Sequence, residues 1–302
     1  MPIANQDPNQ DHGLTQAPAA PSPQAAAHRR IFLCADDYGL APGVGAAIRG
    51  LISRDRLSGT SVMVATPTFG ASEALLLSSL GNTGRRLSVG LHVTLTAPFR
   101  PLSNSFRPLA GGTFPTIGRM LMLGFLRRLD PQALSAEVSA QFAAFQAAFG
   151  RPPDFVDGHQ HVQLVPQVSE AVLAAIKAHA PQAWVRQCGR AVPLAARLAD
   201  RKGFLLDLLS HRFRRLATAH DVATNLAFAG TYDFSDRTNY AELFPRFLEA
   251  LPDGAVVMCH PGFVDPELES LDPLTTLREQ EYTFLAGEAF PAVLAARGAA
   301  LA

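Results

Sequence analysis

The run IFLCADDYGLAPGV, residues 31–44, decides the reading of this chain. Its first four residues are continuously apolar, which suits a strand buried on both faces. Two adjacent carboxylates, Asp36 and Asp37, stop the run, and Gly39 opens a turn. Pro42 then sits in the first turn of a helix whose apolar positions are Val44, Ala47, Ile48 and Leu51. A buried strand that feeds a helix through a polar turn is the unit of a parallel α/β sheet. Such sheets gather their ligands at the carboxyl ends of the strands.

The alternation repeats outward from this unit. Strand patterns recur at 61–65, 87–95, 155–156, 184–185, 225–228 and 255–259. Helical patterns separate them at 71–80, 131–149, 166–179, 194–219, 240–251 and 275–297. The helix over 131–149 is the clearest, with Leu134, Val138, Phe142, Phe145 and Phe149 at three- and four-residue spacing. Seven or so units in roughly 270 residues predict one α/β domain over 29–302, a distorted TIM-like (β/α) barrel. The Pro- and Gly-interrupted stretch between Thr96 and Asp130 reads as an insertion or lid.

Composition excludes several classes. The 302 residues carry 26 basic and 26 acidic side chains, so no net field favours nucleic acid or an anionic membrane. Cys34, Cys188 and Cys259 are too few and too far apart for a disulfide framework, and they fit a reducing compartment. No run approaches the 18 or more apolar residues of a membrane span. Residues 1–28, rich in Ala, Pro and Gln and free of aromatics, read as a disordered tail. That tail lacks the basic start and apolar core of a signal peptide, so the expected location is the cytoplasm.

The polar residues that interrupt the pattern lie within or just after strands. Asp36 and Asp37 end the first, His92 lies in GLHVTLT, and Asp157, His159 and His161 lie in VDGHQH. Arg186 follows the strand at 184–185, and His260 follows AVVMC. Each has a structural alternative: an N-cap for the Asp pair, a core imidazole for His92, a turn for His260, an ion pair for Arg186. Jointly they converge on one mouth. One carboxylate and two imidazoles with an open position describe a divalent Lewis-acid site, Zn²⁺ or Mg²⁺ foremost, with Mn²⁺, Co²⁺ or Ni²⁺ as alternatives. A second carboxylate would serve as base and a further histidine as acid in hydrolysis of an amide or ester. No nucleophile elbow, Walker loop or dinucleotide fingerprint is present.

The motifs ADDYGLAPGV at 35–44, VGLHVTLT at 89–96, VDGHQHVQLVPQV at 156–168 and MCHPGFVD at 258–265 resemble the YdjC/ChbG family of carbohydrate deacetylases (ChbG/HpnK-like). The resemblance runs from about residue 31 to the C-terminus. It implies a metal-dependent hydrolase that takes acetyl from an N-acetylated sugar, either chitooligosaccharide-like or linked to a lipid or nucleotide. Carried over, Asp37, His92 and His159 would hold the metal and Asp36 would be the base. His260 would be the acid, with Arg186 steadying Asp36 or the substrate. Asp157, His161 and Gly262 would line the substrate. Where the family often reads DSHHHVH, this chain has Gly158, Gln160 and Gln163 in place of Ser, His and His. The competing readings are hydrolysis of another amide or a phosphoester, and a catalytically silent sugar-binding barrel. A homodimer is the expected partner arrangement, and HRFRR at 211–215 carries no assignment.

Overall fold

The computed structural model describes residues 29–80, 87–107, 109, 111–191, 201–235 and 237–302. The tail expected over 1–28 and the first residues of the helix expected at 194–219 lie outside them. Strands β1 (Arg29–Tyr38), β2 (Gly59–Val62), β3 (Ser88–Val93), β4 (Phe155–Gly158), β5 (Trp184–Val185), β6 (Phe228–Ala229) and β7 (Ala255–Cys259) form one sheet. Every pairing is parallel, in the order β5-β4-β3-β2-β1-β7-β6. The two ends of this sheet meet through isolated parallel bridges, Val185 to Thr224 and Arg190 to Phe228. The fold is therefore the predicted α/β barrel, and its distortion is this seam, where two-residue strands replace a continuous ladder.

Helices α1 (Pro42–Ile52), α2 (Ala71–Ser78), α3 (Ile117–Phe125), α4 (Pro131–Phe149), α5 (Val168–His179), α6 (Arg201–Ala219) and α7 (Tyr240–Phe247) fill the crossovers. The region expected to be mostly helical, 275–297, holds two helices, α9 (Thr276–Ala286) and α10 (Ala289–Ala296), and strand β8 (Ala299–Leu301) follows the expected stop at Gly298. A short α8 (Pro266–Leu271) precedes them. The unexpected β8 pairs with Arg29–Ile31 at the start of β1, ahead of the point where β2 takes up the pairing at Cys34. α4 begins as its sequence predicts. The Asp130 carboxylate accepts from the Gln132 and Ala133 backbone amides, and Gly150 ends the helix in a left-handed conformation at φ 66°. The lid segment is packed rather than loose, with Phe99, Phe106, Phe114 and Met120 all buried.

Side chains alternate between the two faces of a strand, so each strand contributes an inward row. In β1 that row is Phe32, Cys34 and Asp36, and in β4 it is Phe155 and Asp157. The rows divide the barrel. At the amino end Phe32, Phe155 and Trp184 form an aromatic plug, with Phe155 stacked on Trp184 at 4.8 Å and Phe32 edge-on to both. Gly59 and Gly90 make this plug possible, because a Cβ on either would come within 2.6 Å or 2.5 Å of the Phe32 or Phe155 ring. At the carboxyl end the rows turn polar.

Gly90→Ala places a methyl group where the Phe155 ring stands. It is expected to destabilise the chain by about 1–3 kcal/mol in urea denaturation, as overpacked cores do. A stability equal to that of the wild type would show that the plug yields.

Candidate active site

Alternation poses a problem at β1: adjacent residues of a strand face opposite ways, so Asp36 and Asp37 cannot both point inward on a regular strand. The strand solves it with a bulge. Its register against β2 shifts between Ala35 and Tyr38, and Asp37 adopts φ 68°, a left-handed conformation that Asp tolerates better than most residues. Asp37 is thereby brought to the same mouth as Asp36.

There Asp37 Oδ1 lies 3.3 Å from His92 Nε2 and 3.1 Å from His159 Nδ1. Donor atoms of the three residues lie within 4.8 Å of one another, and all three side chains are buried. His159 opens the 3₁₀ segment, His159–Leu164, that follows β4 and is kinked at Gln160 and His161, with φ of 53° and 58°. From the lid, Phe99 stands edge-on to the His159 ring at 5.6 Å. His92 is held from behind, where its Nδ1 lies 2.6 Å from Asp157 Oδ1 and 3.0 Å from Ser61 Oγ. That contact keeps a proton on Nδ1 and turns Nε2 toward Asp37, the arrangement that orients histidines at metal centres.

Asp36 stands beside this group. Arg186, fully buried, donates to both of its oxygens at 2.6 and 2.7 Å and forms a second ion pair with Asp157 at 2.5 Å. Burial raises the Asp36 pKa, but the guanidinium outweighs burial and holds the carboxylate down at about 2. Burial likewise opposes ionisation of Asp37, and Arg278, His159 and His92 keep it well below the usual carboxylate range. Burial would discharge His92, yet Asp157, Asp37 and Asp36 push its pKa up to about 10.

The donor set fits a divalent cation. One carboxylate oxygen and two imidazole nitrogens are the ligand types of catalytic zinc and related ions. Three buried carboxylates (Asp36, Asp37, Asp157) face two buried guanidiniums (Arg186, Arg278), and Arg278 is shared with Asp272, which leaves negative charge in excess. A proton on His92 meets that excess, and a cation would compete for the same nitrogen. Cys34, Asp36 and Asp157 also cluster, but Arg186 already pairs with both of those carboxylates, and burial pushes the Cys34 thiol up.

A cavity of about 700 Å³ opens on this group, lined by Asp36, Asp37, His92, His159, His161 and His260 among others. Two of the expected substrate residues are not on its wall. Asp157 is wholly buried behind His92, its oxygens taken by His92 and Arg186. Gly262 lies behind Arg278 and Val44, which a Cβ there would meet at 3.2 and 3.1 Å. Both follow the strand ends in sequence, but a position one layer deeper cannot reach a ligand. Arg186 is also one layer deep, and it acts on Asp36 rather than on the cavity. His161 does line the cavity; burial and Arg186 push its pKa down to about 3, and its Nδ1 lies 3.5 Å from the Cys188 sulfur.

His260 turns its ring edge-on to Phe234 at 5.5 Å, and its Nδ1 has no hydrogen-bond partner among the described residues. Burial lowers its pKa. Arg278, on α9, was missed by reasoning from strand ends. Its Nη2 donates to Asp37 Oδ2 at 2.7 Å and to Asp272 at 2.9 Å. Glu281, one turn further on α9, accepts from the Tyr232 hydroxyl at 2.6 Å and from the His260 backbone amide at 2.5 Å. The only trace of the pair in the sequence is two opposite charges three residues apart on a helix, a pattern that normally marks a solvated face.

The family model described as YdjC-like protein matches residues 30–296. A chitooligosaccharide deacetylase of Serratia marcescens is 30% identical over 263 residues, covering 81% of this chain and 90% of that protein. One from Yersinia pestis (strain Pestoides F) is 26% identical, covering 79% and 83%. A solved Enterococcus faecalis V583 structure, of a protein named for cleavage of cellobiose phosphate, superposes with a TM-score of 0.70 at 21% identity. It covers 91% of this chain and 97% of its own, and it shares the fold.

Arg186→Ala would leave Asp36 and Asp157 buried and uncompensated, so a loss of about 3–5 kcal/mol is expected in urea denaturation at pH 7. Because the folded pKa of Asp36 lies below its ordinary 3.8, the contribution of the pair is fully present above pH 3.8. It is lost as the pH falls through about 2. The stability gap between wild type and variant should therefore narrow in acid, and a gap that stays constant from pH 7 to pH 2 would contradict this account.

Proposed function

The chain belongs to the YdjC-like family, and from that premise we propose that it is a hydrolase that removes the acetyl group from an N-acetylated sugar. The observation that carries the reading is the gathering of Asp37, His92 and His159 on the wall of one cavity, with the Arg186-held Asp36 beside them. The relatives from Serratia and Yersinia, named chitooligosaccharide deacetylases, support an acetylated amino sugar as substrate. A volume near 700 Å³ falls within the range of small-ligand sites. The walls contributed by Tyr232, Phe234, Leu206 and Leu274 offer apolar faces to a sugar ring.

In this reading Asp37, His92 and His159 hold one divalent ion, with Zn²⁺ and Mg²⁺ the leading candidates. When bound, such an ion supplies Lewis acidity toward the acetamide carbonyl and the attacking water. The protein's own groups handle the protons. Asp36 stays ionised throughout the neutral range and is the acceptor for the proton that water gives up. Arg186 fixes both Asp36 oxygens, so the acceptor cannot swing away. His260 is the donor to the departing sugar amine. Burial lowers its pKa, which makes its protonated form a stronger acid and also a less populated one. The products are acetate and the free amine.

Replacing Asp37, His92 or His159 by Ala is expected to abolish binding of a divalent ion, measured as metal content after dialysis. The release of acetate from N-acetylated chitooligosaccharides should fall with it. Asp36→Ala should keep the ion and lose on the order of 10²–10⁴-fold in kcat, the usual contribution of a positioned base. Full metal stoichiometry and turnover in both His92→Ala and His159→Ala would sink the assignment. Phosphate release from phosphoester substrates, with no acetate from the acetylated sugars, would move the chain to a different hydrolase class.

A further inference from the structure

Glu281 is wholly buried, lies on α9 rather than at a strand end, and has no part in the chemistry above. Each of its oxygens is committed. Oε2 accepts the backbone N–H of His260 at 2.5 Å, and Oε1 accepts the Tyr232 hydroxyl at 2.6 Å. Those two partners come from different elements. His260 directly follows β7, while Tyr232 follows β6 in the loop whose residues Thr231, Tyr232, Asp233 and Phe234 line the cavity. Phe234 of that loop is also the ring against which His260 stands. One carboxylate thus ties the cavity wall to the residue assigned as acid.

We propose that Glu281 is the positioning residue of this site: it fixes the His260 backbone and, through Tyr232, seats the 231–234 wall against the His260 ring. The proposal rests on the deacetylase reading for its kinetic consequences, while its geometry can be tested independently.

The argument is one of rigidity and cost. A carboxylate without solvent is expensive unless its oxygens accept hydrogen bonds. Burial lifts the Glu281 pKa to about 7, against the opposing pull of Tyr232, the His260 amide and Arg278. A buried acid whose hydrogen bonds only partly offset burial is retained at a cost to stability. A purely structural anchor at this point could be built more cheaply from apolar packing. The His260 ring, by contrast, receives no hydrogen bond at Nδ1 among the described residues. Its placement depends on its backbone and on the Phe234 ring, and Glu281 holds both. Where the donor nitrogen is set by backbone position, a displacement of about 1 Å is enough to cost on the order of 10²-fold in rate.

Four proteins test it: wild type, Glu281→Ala, Glu281→Gln and Tyr232→Phe. Gln keeps an oxygen for the His260 amide, and its NH₂ group can donate to the Tyr232 hydroxyl in reversed roles. Glu281→Ala is expected to lower kcat on the order of 10²-fold with metal content unchanged, since it touches none of Asp37, His92 or His159. Glu281→Gln should recover most of that loss. Tyr232→Phe should raise KM about two- to tenfold and lower kcat by less than Glu281→Ala does, because it frees the 231–234 wall but leaves the His260 amide held. A kcat loss as large as that of Glu281→Ala would overturn the assignment of the His260 backbone to Glu281. Independently of turnover, the His260 amide proton in a ¹H–¹⁵N NMR spectrum should stand far downfield in the wild type and move upfield in Glu281→Gln. Wild-type kcat in Glu281→Ala, a Gln variant as impaired as the Ala variant, or an unmoved amide resonance would each overturn the proposal. A wild-type protein that releases no acetate yet shows the predicted amide shift would overturn the deacetylase reading and leave the positioning geometry standing. If Glu281→Ala fails to fold, Tyr232→Phe and Glu281→Gln still decide the question.

Discussion

The Arg186 guanidinium, enclosed at the carboxyl end of the barrel, is the interaction on which the rest of the site depends. It faces Asp36 on one side and Asp157 on the other. Removing two carboxylates from water is costly unless a cation compensates them at hydrogen-bond distance. Each carboxylate then passes the constraint on. Asp157 orients His92, so that Nε2 faces Asp37. Asp36 is fixed at both oxygens, which leaves the neighbouring Asp37 as the one that faces the histidines. The order is hierarchical: a buried ion pair sets the carboxylates, the carboxylates set the imidazoles, and Asp37, His92 and His159 together form a group that could hold an ion.

The barrel supplies this hierarchy with its geometry. A parallel strand presents one inward row, and here each row changes character along its length, from Phe32 through Cys34 to Asp36, and from Phe155 to Asp157. The aromatic plug closes the amino end and leaves the carboxyl end for polar groups. Glycines at Gly59 and Gly90 are part of that division, because only a residue without Cβ lets the two Phe rings close over the strand. The bulge at Asp37 is the local exception to alternation, and it puts two consecutive carboxylates on one mouth.

Much of this was legible in the sequence, and the reasons are specific. The run 31–44 shows its strand, its turn and its helix through period and Pro placement, and the polar residues after each strand mark the mouth. Asp36, Asp37, His92, His159, His161 and His260 all line the cavity, as their positions within or just after strands implied. Depth was not legible. Asp157 follows its strand no differently from His159, yet it sits behind His92, because strand alternation and the 3₁₀ turn send the two residues to different layers. Gly262 sits behind Arg278 for a similar reason. The strand β8 was missed because three residues after a glycine carry no period of their own.

Arg278 and Glu281 were illegible for a deeper reason. A helix that packs against the mouth of a barrel presents its charged residues inward, which is the reverse of the amphipathic rule by which helices are read. The chain tolerates these buried charges because each finds an opposite or polar partner already fixed by a strand: Asp37 for Arg278, the His260 amide for Glu281. α9 is consequently the element that joins the two sides of the chemistry. Its first turn braces the carboxylate that faces the histidines, and its next turn braces the residue assigned to protonate the leaving group. Strand ends supply the reactive groups of this barrel, and the neighbouring strands β1 and β7, which lead to Asp37 and His260, are joined by a continuous ladder. A helix from the far end of the chain braces both groups above that ladder, Asp37 through Arg278 and the His260 amide through Glu281.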